Sequence, residues 1–420
     1  MRKLKLITAV LTMGLIWVLW PIYGFLSNQY ETARLPWGWH ELPQAIPQSQ
    51  IINDAAYKSA GNEAMRLLLK RRGVIAAPSL SAAVSVDGHL VWAGTVGWAN
   101  ISDNKAATPQ TAYRIGSTSK AVTATALAKL SANGRIDINE PISDYMKEIP
   151  NREWERFTSR ELASHTAGLA GYEENNDWIG FYHSLALRKR YKNATDSLSL
   201  IDGAKTLFKP SQNFHYSGFH NVLLSAVMES VEKQSFSDVV EGEVSAPLML
   251  TSLRPDYQTN VTHDTALSYQ VKGQTYKPWR KVDLSHKLAA GGFVATPSDL
   301  AVLGGAWLDD DFIPEVTRRK FWTPVKINGK VNVQDYALGF RRKSWPISGA
   351  GDVEHLNHGG VSKGAQCWLM IIPDYNMSIA ISTNRRTSSF FDFGDVYVDI
   401  LAIFIEASRK VEQSNGFYRN

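Results

Sequence analysis

Tyr113-Arg-Ile-Gly-Ser-Thr-Ser-Lys120 runs directly into Ala121-Val-Thr-Ala-Thr-Ala-Leu-Ala-Lys-Leu130, and the reading of this stretch decides the fold. Its second half is rich in helix formers at helical apolar spacing, with no Gly or Pro before Gly134. Gly116 and Ser117 fall where that helix should start, which puts Ser117 at or near its N-cap. Unpaired backbone N–H groups and the positive end of the helix dipole then surround the serine oxygen and favour negative charge there. Lys120, one turn on, lies on the same face. A serine hydroxyl is a weak nucleophile until a base takes its proton, and this spacing supplies one.

Ser-x-x-Lys by itself is a common pattern, and it recurs at Ser102–Lys105 and Ser230–Lys233. Ser102 sits in a polar Asp-Asn-Lys turn and Ser230 lies late in an apolar helical run. Only the Ser117 copy stands at a helix start.

Working outward towards the N-terminus, two apolar runs, Pro78–Val86 and His89–Gly97, are separated by Asp87-Gly88, a strong hairpin signal. A helical pattern covers 54–72. Residues 27–53, with several prolines, read as a linker. Leu6 to Leu26 carries no charge after the basic start Met1–Lys5. About 20 apolar residues suffice to cross a bilayer, and Trp17, Trp20 and Tyr23 suit the aromatic belt. The basic start keeps residues 1–5 in the cytoplasm and places the rest outside. No Ala-x-Ala site follows, which favours an uncleaved anchor at 6–26 over a signal peptide.

Towards the C-terminus, residues of about 138–285 read mainly as helices and loops, including a short helix in Ser159–Gly168 and another over Phe219–Glu232. The stretch Tyr172–Asn193, aromatic and charged, is a candidate cover for a cleft. Strands return at Tyr336–Phe340, Trp368–Ile372 and Ser378–Ser382, with a hairpin loop at Pro373–Asn376, and a last helix spans Val396–Ala407. Strands at both ends with helices between predict an α/β architecture, one antiparallel sheet domain over 54–410 interrupted by a helical insertion, with 411–420 as a tail.

Composition sets the outer limits. The 420 residues are 44% hydrophobic and 20% charged, as in ordinary globular proteins, and carry a formal charge of +5. The basic clusters lack interleaved aromatics, so nucleic acid is not an expected partner. The single cysteine, Cys367, excludes an internal disulfide; it sits in the apolar run Gln366–Ile372 and reads as packing. The close histidine pairs, His215/His220 and His355/His358, have no third ligand in the pattern, so no metal site is assigned.

Three further segments complete a set: Ser164-His-Thr-Ala-Gly-Leu169, Phe214-His-Tyr-Ser-Gly218 and His355-Leu-Asn-His-Gly-Gly360. Together with Ala290–Thr296 and the Gly-Ser-Thr-Ser-Lys core, they make the chain resemble the serine β-lactamase-related family over roughly 55–408. That family includes class C β-lactamases, low-molecular-weight penicillin-binding proteins, lactamase-fold esterases and D-aminopeptidases. The resemblance implies a β-lactamase/transpeptidase-like fold, Ser117 as nucleophile, Lys120 as its partner base and Tyr216 as the proton-relaying tyrosine. It assigns His358-Gly359-Gly360 to a substrate-binding edge strand and the backbone N–H groups of Ser117 and Val361 to an oxyanion hole. Each such donor is worth about 3 kcal/mol in a transition state. A tyrosine beside a lysine ammonium has its phenolate favoured, so the chemistry agrees when read without the family. His165 is expected to be structural.

Two positions depart from the family pattern. Gly218 stands where Asn is usual, and His358 where most β-lactamases have Lys, which weakens the charge available to a substrate carboxylate near neutral pH. The expectation is therefore a membrane-anchored extracytoplasmic serine hydrolase of esters or amides, needing no cofactor and acting on a small-molecule or peptide-like substrate. A class C-type β-lactamase or D,D-carboxypeptidase and a non-catalytic cell-wall-binding scaffold are the rivals.

Overall fold

The computed structural model describes residues 2–29, 34–172, 174, 178–257 and 264–414. The chain starts with helix α1 (Arg2–Gln29), whose Lys3–Ser27 portion is long and apolar enough to cross a membrane. Strand β1 (Gln48–Ile52), helix α2 (Lys58–Val74) and the hairpin β2 (Ser79–Val86) and β3 (His89–Asn100) follow. Asp87 and Gly88 both have positive φ, +51° and +78°, as a two-residue primed turn demands. Helices α3 (Ser119–Ala132), α4 (Gly218–Glu232) and α5 (Pro297–Ala306) lead to strands β4 (Arg341–Ile347), β5 (Gly351–Ser362), β6 (Ala365–Ile372) and β7 (Met377–Thr383). Helix α6 (Phe390–Ser414) ends the described chain.

The two sets of strands form one antiparallel sheet in the order β4-β5-β6-β7-β2-β3-β1, with the short Lys105–Ala106 strand beside β3. The sheet closes where β7 pairs with β2, from Met377 opposite Val86 to Thr383 opposite Leu80. The helices α3, α4 and α5, which fall between β3 and β4 in the chain, are thereby gathered on one face; the other packs α2 and α6. Period-2 alternation divides β6 cleanly: Cys367, Leu369 and Ile371 join the helical side, and Trp368, Met370 and Ile372 the terminal-helix side. Cys367 is buried, and burial pushes its thiol up to about 11, as fits a packing residue.

Three local expectations are corrected. Residues 27–53 are not a plain linker: His40–Glu41 pairs with Thr275–Tyr276, and β1 is the outermost strand of the main sheet. Tyr336–Phe340 is not a strand. Gly339 takes φ +85° so that its backbone can lie on α3, where a Cβ would come 2.4 Å from the Ala124 Cβ, and pairing begins only at Arg341. The insertion is helical through Phe236–Val240, but then carries the hairpin Tyr269–Lys272/Thr275–Pro278. Within Tyr172–Asn193 a helix, Trp178–Ala186, packs against α1; Glu173 and residues 175–177 lie outside the described residues.

Candidate functional site

Ser117 occupies a 3₁₀ turn, Gly116–Thr118, immediately ahead of α3, so it precedes the helix rather than capping it with its side chain. The turn is locked on several sides. Gly116 takes φ +53° against β5, where a Cβ would lie 2.6 Å from the Val361 carbonyl carbon. Gly360 is packed just as closely: a Cβ there would be 1.9 Å from Ile115 O and 2.8 Å from Ser117 N. Thr118 Oγ1 donates to His358 O at 3.1 Å, and Ile115 N to Phe293 O at 3.1 Å. Because β4 pairs with β5 only as far as Asn357, residues 358–362 offer a free edge to the serine turn. The backbones of Ser117 and Val361, the expected oxyanion donors, are brought together in this way.

Lys120 is buried, with Nζ 3.4 Å from Ser117 Oγ and donating to Ala290 O at 2.6 Å. Burial lowers its pKa, with the Arg341 charge adding to that and Tyr216 opposing it. Tyr216 comes from the other side, set by the start of α4. Ser217 Oγ accepts from Phe219 N at 3.2 Å and donates to Ala170 O at 3.0 Å, and His215 N donates to His165 O at 3.0 Å. Lys120 Nζ lies 4.9 Å from the Tyr216 ring centroid, which brings the phenol beside Lys120 and Ser117. Burial pushes this phenol up, but the Lys120 ammonium and the Arg341 guanidinium outweigh it and hold it below the ordinary phenol range. With Lys120 Nζ engaged by Ala290 O, the arrangement favours the phenolate as the base on Ser117 and the ammonium as its electrostatic partner.

His358 is fully buried. Its Nδ1 donates to Gly359 O at 2.9 Å, since a carbonyl only accepts, and its Nε2 therefore accepts from Tyr336 Oη at 3.0 Å. Burial, followed by the Arg341 and Lys120 charges, keeps the ring neutral. Tyr336 is itself gripped through its backbone by Asn332, whose Oδ1 accepts from Tyr336 N at 3.0 Å and whose Nδ2 donates to Tyr336 O at 2.7 Å. Burial pushes the Tyr336 phenol well up, so this tyrosine stays protonated while Tyr216 shifts the other way. His165, at φ +60°, is buried with its ring centroid 4.4 Å from that of Tyr216 and 4.9 Å from that of Tyr336. Its backbone carbonyl anchors the segment before Tyr216, in keeping with a structural role.

Gly218 opens α4 opposite Ala290; a Cβ there would lie 3.3 Å from the Ala290 Cβ, so the small residue lets the Lys120 acceptor approach. Sequence reasoning did not assign Ala290 O, Tyr336 or Arg341 to the site. Arg341 lies 5.4 Å over the Tyr216 ring and 5.1 Å over that of Tyr336. The motif Ala290–Thr296 is the one available signal for Ala290; Tyr336 reads as the first residue of an ordinary strand, and Arg341 as one member of a basic cluster, Arg341–Lys343.

Comparisons with known proteins show the family and the fold. A family model described as Beta-lactamase matches residues 68–403. The chain is similar to the human serine beta-lactamase-like protein LACTB, mitochondrial, with 26% identity over 394 residues, 74% of this chain and 72% of that protein. Protein flp of Staphylococcus aureus strain N315 is 25% identical over 201 residues, 47% of this chain and 39% of the relative. Among solved structures, the D-amino acid amidase of Ochrobactrum anthropi SV3 has a TM-score of 0.67 at 19% identity, covering 83% of this chain and 99% of that one. An octameric penicillin-binding protein homologue from Pyrococcus abyssi has a TM-score of 0.65 at 19% identity, covering 82% and 77%. These structures share the β-lactamase/transpeptidase-like fold. The matched span takes in the serine turn, Tyr216 and the His358 strand, and the chain belongs to the Beta-lactamase family.

Proposed function

We propose that the protein is a membrane-anchored, extracytoplasmic serine hydrolase that cleaves an ester or an amide, peptide-like bond through an acyl-enzyme on Ser117. The Tyr216 phenolate takes the proton of Ser117 Oγ as that oxygen attacks the carbonyl carbon. The oxyanion is held by the N–H groups of Ser117 and Val361. As the C–O or C–N bond breaks, the proton passes from Tyr216 to the leaving group, and water then releases the acyl group by the same relay. The observation that carries this reading is the convergence of three side chains. Lys120 Nζ lies 3.4 Å from Ser117 Oγ and 4.9 Å from the Tyr216 ring centroid, beside a phenol that the Lys120 and Arg341 charges hold below its ordinary range. The D-amino acid amidase among the structural neighbours favours the amide branch. The neutral, buried His358 provides no cation for a β-lactam carboxylate, which favours esters and amides over a class C-type β-lactamase or a D,D-carboxypeptidase. The charge-free segment 6–26, with its basic start, supports a single-pass anchor with the N-terminus in the cytoplasm.

The test is treatment of the full chain in detergent micelles, and of Ser117→Ala, with a fluorophosphonate probe followed by intact mass. One adduct on the parent and none on the variant is expected. A folded parent that takes no adduct contradicts the reading and moves the scaffold alternative forward.

A further inference from the structure

A cavity of about 570 Å³ opens beside the last residues of β5, lined by Val361, Ser362, Lys363, Lys287, Arg385 and Arg386 among others. The Val361 backbone faces the serine turn at Gly116, so the cavity adjoins the candidate site. Its lining holds four cations and no carboxylate. Asp256, the acid whose charge reaches Lys287, is already paired with Arg114 at 2.5 Å. Arg385 donates to the carbonyls of Ile75 and Ala76, which turns part of its guanidinium away. Ser362 is 8% exposed, and its Oγ has no hydrogen-bond partner although it lines this polar space. A buried hydroxyl without a partner is costly, and a ligand oxygen would satisfy it.

Burial, with the Lys120 and Arg114 charges behind it, brings Lys287 down to about 8. Burial also lowers Lys363, and Lys287, Arg280, Arg114 and Arg386 add to the effect. Positive charges held this close favour an anion between them. A single carboxylate answers one charge of four. A phosphate, with nearly two charges and three strong acceptor oxygens, answers more of them and offers an acceptor to Ser362 as well.

The position of the cavity narrows where such a group would come from. Lys363 Nζ lies 4.6 Å from the ring centroid of Phe25, at the far end of α1, and 5.7 Å from that of Trp279. Trp178 and Ile179, on the helix that packs against α1, are exposed. These contacts set the cavity beside the point where the proposed anchor leaves the bilayer, at the level of lipid headgroups.

We propose that this cavity binds a phosphate group carried by the substrate, beside the carbonyl held at Ser117. The proposal rests on the hydrolase reading for its substrate and on the cavity alone for the phosphate. It differs from the expected role of His358, which is buried, neutral and engaged on both ring nitrogens.

The experiment uses full-length Ser117→Ala in zwitterionic micelles at pH 7, where no turnover interferes. Isothermal titration compares inorganic phosphate with acetate. Phosphate is expected to bind at least 10-fold more tightly, and Lys363→Gln and Arg386→Gln each to weaken it about 10-fold or more. Near-ultraviolet circular dichroism identifies any variant that has lost its fold; Arg386 is exposed, which makes its variant the safer of the two. Displacement of phosphate by phosphatidic acid in phosphatidylcholine vesicles, more effectively than by phenyl phosphate, assigns the phosphate to a lipid-borne substrate; the reverse order assigns it to a soluble one. Phosphate binding no tighter than acetate, or unchanged in both folded variants, overturns the proposal. Fluorophosphonate labelling of the parent is a separate readout. Its failure with phosphate binding intact removes the hydrolase and leaves the cavity, and the converse result removes the cavity alone.

Discussion

Ser117–Lys120 and Ser230–Lys233 have the same spacing and opposite fates. The first pair stands ahead of α3 with its lysine buried, facing Ala290 O and Tyr216. The second stands at the end of α4: Ser230 Oγ donates to Tyr145 O at 2.7 Å, and Lys233 folds back on Ser230 O at 2.5 Å with φ +57°. There the serine oxygen meets carbonyls at the negative end of a helix, where an alkoxide is disfavoured, and the lysine is solvated. Ser102–Lys105 sits in an exposed turn and repeats the lesson. The spacing is the same in all three copies; burial, the helix end and a third group distinguish the one that can react.

The contrast can be broken at its centre first. Ser117→Ala should abolish ester or amide turnover, a loss on the order of 10⁵-fold or more. Turnover that survives would place the nucleophile elsewhere. Next comes the third group. Tyr216→Phe should lower kcat/KM by about 10²- to 10⁴-fold, the range of a general base, while leaving the fold intact by circular dichroism. A variant within about threefold of the parent would return the base role to Lys120 alone.

Arg341→Gln sharpens the electrostatic part. Arg341 helps to lower Tyr216, so the phenolate forms, and activity rises, with increasing pH at a midpoint below the ordinary phenol value of about 10. Removing the cation should move that limb to higher pH and reduce activity near neutrality by about tenfold. An unmoved limb contradicts the assignment. At Ser230→Ala, by contrast, turnover should stay within about twofold of the parent in the same assay.

Burial that tunes the site also makes the fold sensitive to acid. His165, His286 and His358 are held well below the ordinary histidine range, His220 at about 3 and His355 at about 4, in each case mainly by burial. All five pKa values are depressed on folding, so this stability is present above the unfolded value of about 6.5 and is lost as pH falls below it. Each histidine contributes about 1.4 kcal/mol per pH unit in that window. Thermal melts from pH 7.5 to 5 should show a steep fall in Tm; a flat Tm would mean that some of these rings are protonated in the native state.

The site was legible in the sequence wherever its geometry is local or its motif short. Ser117 and Lys120 are one turn apart, and Tyr216 directly precedes the α4 start. The hairpin at Asp87-Gly88 and the apolar run of β6 were equally local. Arg341 and Tyr336 were not legible, because they reach Tyr216 from over 100 residues away and only through closure of the sheet. Tyr336–Phe340 read as a strand from its apolar residues, whereas Gly339 is fixed by its approach to α3. Strand β1 was read as linker because an outermost strand, half-buried in Gln-Ser-Gln-Ile-Ile, shows little of the pattern that marks central strands.

The rate of fluorophosphonate labelling, followed by intact mass and peptide mapping, tests the central claim most directly. The account predicts a single adduct on Ser117, formed faster as pH rises towards the Tyr216 limb and slowed at least 100-fold in Tyr216→Phe. An adduct on any other residue, or a Ser117 rate indifferent to both pH and Tyr216, would contradict it.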